Sequence, residues 1–145
     1  MHGPEPRAIS LYGREIGNAT NYSSRGNPMN WDDFEKQLAL NDLRAEAALA
    51  AAIPAFAELL HLAETRDSGQ IGRIARFLTA TYNGECFTFD LFDLRCVDLE
   101  ISDKMLACID CLRWATSDLY RLVPDGDARI QAVMDRWGLR PTTSK

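Results

Sequence analysis

SGQIGRIARFLTATYNGECFTFDLFDLRCVDLEISDKML, from Ser68 to Leu106, decides the fold of this chain. Its first half carries Ile71, Ile74, Ala75, Leu78 and Tyr82 at the three- and four-residue spacing of one helix face. Arg73 and Arg76 point away from that stripe. Ser68 stands where an N-cap belongs, and Asn83-Gly84 supplies a pair that tolerates the left-handed conformation and ends the helix. In the second half, Phe87, Phe89 and Leu91 alternate as a short strand would. Asp90, Asp93 and Asp98 suit turns and caps better, so the stretch near 86–100 is expected to be irregular or a short helix. A further helix begins at Ser102 and runs to about Leu122, burying Met105, Cys108, Ile109, Leu112, Ala115 and Leu119.

The flanks extend the same pattern. Asn30 is a plausible N-cap, with Asp32, Asp33 and Glu35 in a first turn where the helix dipole favours acids. A helix runs from Trp31 through an alanine-rich stretch to about Ile53. Pro54 either kinks it or opens the next helix, which continues to about Thr65. Pro124-Asp125-Gly126 breaks the chain again. The last helix, Asp127 to Trp137, turns Ile130, Val133, Met134 and Trp137 inward and stops at Gly138. The expected fold is all-α, with about five helices around one core. Its organisation is a flexible N-terminal arm at 1–28 that docks through Leu11–Ile16, a single helical domain at 29–140, and a frayed tail at 141–145.

Charge and composition narrow the function. The 145 residues carry a net charge of −5. Residues 29–65 and 85–118 are each −5, while the three remaining stretches are mildly basic. Direct nucleic-acid binding, which needs Lys and Arg against phosphate, is not expected. An acidic face suits a basic protein partner. No uninterrupted run of about 18 apolar residues suggests a membrane span, and MHGPEPRAIS lacks a secretory apolar stretch. The expected location is the cytoplasm, with all four cysteines reduced.

The candidate chemistry is thin. Cys108-Ile109-Asp110-Cys111 is a CxxC, but Cys108 falls mid-helix on an apolar stripe, and Cys86 and Cys96 stand alone. Zinc needs four ligands, and a redox thiol wants a helix N-terminus. Buried structural thiols are the better reading, with a cysteine-based metal or thiol protein as the remote alternative. His61 is the only credible base and has no nucleophile motif beside it. Asp90, Asp93, Asp98, Glu100 and Asp103 lack the spacing and glycine of a calcium loop. Gly69-Gln70-Ile71-Gly72 lacks the lysine of a phosphate loop. We therefore expect no catalytic residues, no cofactor and no metal.

Trp114 is the stronger candidate. At about 100° per residue it lies nearly opposite Met105, Cys108 and Leu112, on a face with Asp110, Ser117, Asp118 and Arg121. A tryptophan beside charges is the composition of an interface anchor. The partner-binding set expected from sequence is Trp114, Asp110, Asp118 and Arg121, with Asp32 and Asp33 at the start of the first helix.

The stretch from about Ala55 to Pro141 resembles an uncharacterised domain family of small proteins encoded on bacterial integrative and conjugative elements. The matching residues are Ser68-Gly69-Gln70, Arg76-Phe77-Leu78, Tyr82-Asn83 and Phe89-Asp90-Leu91. Asp93-Leu94, Val97-Asp98, Ile101, Asp103, Met105 and Arg136-Trp137 follow. Thr81-Tyr82 stands where members have paired tryptophans, and Arg95 where they have another. The resemblance implies a mobile-element setting rather than a mechanism. The functional expectation is a non-catalytic protein-binding protein, an inhibitor of a host defence complex of the anti-CRISPR kind. The alternative is an accessory component of element transfer or maintenance, homodimeric through the alanine-rich helix.

Overall fold

The computed structural model describes residues 8–9, 15–16, 30–114 and 117–142. The chain divides into two compact units, Met1–Ala47 and Ala48–Lys145. In the first, β1 (Ala8–Ile9) pairs antiparallel with β2 (Glu15–Ile16), with Ala8 opposite Ile16. The rest of the expected arm, including residues 11–14 of its docking segment, lies outside the described residues. The helix α1 spans Trp31–Thr65. Asn30 caps it as expected, its Oδ1 accepting from the Asp32 amide at 3.2 Å. The Trp31 and Phe34 rings meet at 5.4 Å.

Apart from the two-residue strands β1 and β2, every element of the described residues is helical, and the fold is all-α. Of the two alternatives for Pro54, it does not open a new helix but stands inside α1. Proline removes one N–H, which leaves the carbonyl four residues earlier unpaired. Ala50 and Pro54 are both exposed, so water can serve that carbonyl. By length and composition α1 is apolar enough to cross a membrane, a feature that a search for uninterrupted apolar runs passes over. Its apolar residues Ala52, Phe56, Leu59, Leu60 and Ala63 are fully buried in the core of the second unit.

That core is completed by α2 (Gly69–Tyr82), α3 (Leu99–Trp114) and α4 (Gly126–Trp137), with 3-10 helices at Leu91–Cys96 and Leu119–Leu122. The stripe Ile71, Ile74, Ala75 and Leu78 is buried as its spacing requires. Both expected caps of α2 differ in chemistry. Ser68 holds the N-cap position, but only its carbonyl is used, accepting from Ile71 and Gly72. Asn83 is extended rather than left-handed. It turns the chain through its side chain, whose Oδ1 accepts from the Glu85 and Cys86 amides.

The segment after it is short helix, as the aspartates suggested: Asp90 accepts from the Phe92 amide and caps Leu91–Cys96. The third helix starts earlier and ends earlier than expected. Its core stripe is Ile101, Met105, Cys108 and Cys111, and Leu112 is 42% exposed instead of buried. Leu119 does reach the core, but from the second 3-10 helix. Ser117 and Asp118 favour such a break, because their side chains compete with helical hydrogen bonds.

The last helix matches expectation: Ile130, Val133 and Met134 are buried, and the Trp137 indole N–H donates to the Ala63 carbonyl at 2.9 Å. Gly138 ends it at φ +63°, with the Leu139 amide donating to Met134. Gly126 opens it in contact with the Tyr120 carbonyl, where a Cβ has no room. The tail does not fray at once. Leu139 packs on the core, and the Thr142 amide and hydroxyl both donate to the Cys86 carbonyl at 2.8 Å.

Candidate functional site

Several polar residues of the 68–106 stretch join one element to another. Gln70 Nε2 donates to Asp98 Oδ2 at 3.0 Å, and the Asp98 amide donates back to Gln70 Oε1 at 3.0 Å. Arg73 and Arg76 both reach Asp93, at 3.2 and 3.5 Å. This fastens α2 to the 3-10 helix before α3. Around the Gln70–Asp98 pair lies a cleft of about 530 Å³, with Glu58, Leu62, Arg66, Glu100 and Lys104 in its walls. Lys104 bridges Glu100 at 2.9 Å and Glu58 at 3.6 Å. The bond to Glu100 raises its pKa against the opposing effect of burial.

Other charges also serve the fold. Arg129 grips Glu64 with a shortest distance of 2.6 Å, and Arg136 holds Asp67 at 2.5 Å. Tyr82 donates to Asp127 at 2.7 Å, which raises the phenol's pKa. Of the acid series singled out in the sequence, Asp90 caps, Asp93 and Glu100 pair with cations, and Asp98 meets Gln70. Asp103 is exposed and has no ion-pair partner among the described residues.

The CxxC thiols are buried. Burial pushes Cys108 up to about 12, and Cys111 is raised for the same reason, whereas a nucleophilic or metal-binding cysteine needs the thiolate. Among the described residues no group of three or more His, Cys, Asp or Glu side chains is arranged to hold a metal. His61 is exposed on α1.

The expected partner-binding residues fall into three places. Trp114, half-buried at the end of α3, donates its indole N–H to Asp110 Oδ1 at 3.3 Å. Arg113, which the sequence reading did not single out, bonds the same oxygen at 2.6 Å and lays its guanidinium 4.8 Å from the Trp114 ring centre. Asp118 and Arg121 pair at 3.8 Å beyond residues 115–116, with Arg121 also donating to the Tyr120 hydroxyl. Asp32 and Asp33 are exposed at the start of α1, in the first unit.

On the outer side of α3, Leu99 is 77% and Leu106 50% exposed, beside Asp103 and Asp110. The two leucines are seven residues apart, as are the two aspartates. The heptad spacing was present in the sequence, hidden by the later helix start assumed there. Leu91 and Phe92, on the preceding 3-10 helix, are exposed as well.

A family model matches residues 53–138, which include Ser68–Leu106 and the α3 face. The chain belongs to DUF7673, a family of unknown function. No curated protein and no solved structure matches it. The DUF7673 match begins inside α1, one residue before Pro54, and ends at the Gly138 cap. It includes the Gln70–Asp98 and Arg73–Asp93 joints, the buried thiols and Trp114. Asp32 and Asp33 lie outside it.

Proposed function

We propose that this DUF7673 protein is a non-catalytic protein-binding module whose docking face is the outer side and C-terminal end of α3. The observation that carries this reading is the Asp110–Arg113–Trp114 cluster. There an indole is held in place by its own N–H bond and a stacked guanidinium, at a half-exposed position. A rigid tryptophan flanked by charge resembles the anchors that dominate protein interfaces. The surrounding acids, in a stretch of net charge −5, favour a partner with a basic surface.

The finer reading is an inhibitor of a host defence complex of the anti-CRISPR kind. It would act in the cytoplasm, occupying a basic nucleic-acid channel without binding nucleic acid or membrane itself. The resemblance to proteins of integrative and conjugative elements, together with the acidic surface, supports it. Affinity purification of the tagged protein from its host tests both levels. The reading expects a nucleic-acid-handling complex in stoichiometric amount from wild type and not from Trp114→Ala.

A second reading is an accessory component of element transfer or maintenance, homodimeric through α1. It is favoured by Leu40 and Leu43, which are 54% and 62% exposed on that helix. Light scattering of the full chain separates a dimer from a monomer.

A further inference from the structure

We infer that α1 pairs antiparallel with α1 of a second copy, along a seam on its outer side. The inference rests on the homodimeric reading above and gives that dimer its contact residues and its direction. Leu40, Leu43, Ala47, Ala50, Pro54 and Ala57 follow one another at alternating steps of three and four residues along one helix. These are the two seam positions of a heptad. Five of the six are exposed, Leu40 at 54% and Leu43 at 62%, and Ala57 is half-buried. Ala52, Phe56 and Leu59 of the same helix are in the core, and at about 100° per residue the seam lies on the opposite side. The helix is thus apolar on two opposite sides, as a buried helix is, and one of them is exposed.

Side-chain size decides the occupant and its direction. The seam is bulky at its N-terminal end, with two leucines, and small from Ala47 onward. A parallel copy sets each residue against itself, leucine on leucine at one end and alanine on alanine at the other. No single helix separation packs both ends, and Lys36, the next seam position before Leu40, meets Lys36. An antiparallel copy sets Leu40 against Ala57, Leu43 against Pro54 and Ala47 against Ala50. Each layer then holds at most one leucine, and one separation suits the whole seam. Lys36 meets His61 instead of another lysine. The flanking Arg44, Glu46 and Glu58 come beside Ala51, Ile53 and Gln37 of the other copy, so the seam brings no like charges together. The same six residues supply both halves of the fit, which is the self-complementary contact of a two-fold dimer.

The test uses the full-length protein with Cys86→Ser and Cys96→Ser, which remove the two thiols that are not buried. Light scattering gives the mass, and disulfide crosslinking gives the direction. In the antiparallel pair, residue 43 of one copy faces residue 54 of the other. The two residues 43 are then about 16 Å apart along the axis, too far to bridge. Leu43→Cys chains mixed with Pro54→Cys chains are expected to crosslink at least about tenfold more than Leu43→Cys chains alone. Leu40→Lys with Leu43→Lys is expected to give a monomer of unchanged helicity by circular dichroism. A dimer that crosslinks through Leu43→Cys alone overturns the antiparallel inference and leaves the homodimeric reading standing. A chain that stays monomeric at about 0.1 mM, or a dimer that survives the two lysines, overturns both.

Discussion

Gln70 and Asp98, 28 residues apart, hold each other twice: the amide of one donates to the carboxylate, and the backbone N–H of the other donates back. The start of α2 is thereby tied to the residue that introduces α3. Both residues are among those that carry the family resemblance, and here their chemistry is structural. A carboxylate with a reciprocal partner orients a helix start, and the N–H that would otherwise be orphaned there is satisfied.

Gln70→Ala removes both bonds at once and leaves the Asp98 amide to solvent. The expected cost is about 1–2 kcal/mol of stability, read as a lower urea midpoint with unchanged slope. Asp98→Ala in the Gln70→Ala background should cost much less than alone, which a double-mutant cycle measures.

Gly126 is expected to be the least replaceable glycine of the described residues. A Cβ there meets the Tyr120 backbone carbonyl, which cannot swing aside as a side chain can. Gly126→Ala should destabilise by about 2 kcal/mol or more. Gly69→Ala, at the start of α2 with open space around it, should be neutral or stabilising. Thermal melts of the two variants provide the comparison.

The buried thiols predict a loss of stability at high pH. Cys108 is raised from its ordinary 9.0 to about 12, with Cys111 raised as well. Below pH 9 both states hold these protons and stability is unaffected. Between pH 9 and about 12 the unfolded chain releases the Cys108 proton and the folded one keeps it, so stability falls as pH rises. The limiting slope is about 1.4 kcal/mol per pH unit for one thiol. Tyr82, raised by its bond to Asp127, adds to the fall above pH 10. Urea midpoints at intervals from pH 8 to pH 11 measure it, and Cys108→Ala should flatten the profile.

Thiol labelling follows the same burial. Cys96 is exposed and should react first with a disulfide reagent, Cys86 more slowly, and Cys108 and Cys111 only on unfolding. Mass spectrometry of a time course assigns each site.

The all-α class was legible because the apolar stripes of α2 and α4 are clean: Ile71, Ile74, Leu78 and Ile130, Val133, Met134 repeat at helical spacing and are buried. Three features were not legible, for physical reasons. Pro54 reads as a boundary locally, yet an exposed carbonyl four residues earlier makes its presence in α1 tolerable. In α3 the start at Leu99 instead of Ser102 brings Leu99 onto the helix, and after Cys108 either Cys111 or Leu112 continues the stripe at helical spacing; Cys111 is the one buried. Leu112 was assigned to the core on its spacing from Cys108, and Leu99 and Leu106 were overlooked as surface. Trp114 and Asp110 were legible as neighbours because they are four residues apart on a helix. The guanidinium of Arg113 on the indole was not, since adjacent residues do not ordinarily share a helix face.

The measurement closest to the central claim is a comparison of the proteins retained from the host by tagged wild type, Trp114→Ala and Asp110→Lys. Helicity of each is checked by circular dichroism. The account predicts a partner with a basic surface, present in stoichiometric amount with wild type and lost from both variants while their helicity is unchanged. A partner that stays bound to both variants, or a wild-type protein that retains none, contradicts the claim that this face is a docking surface.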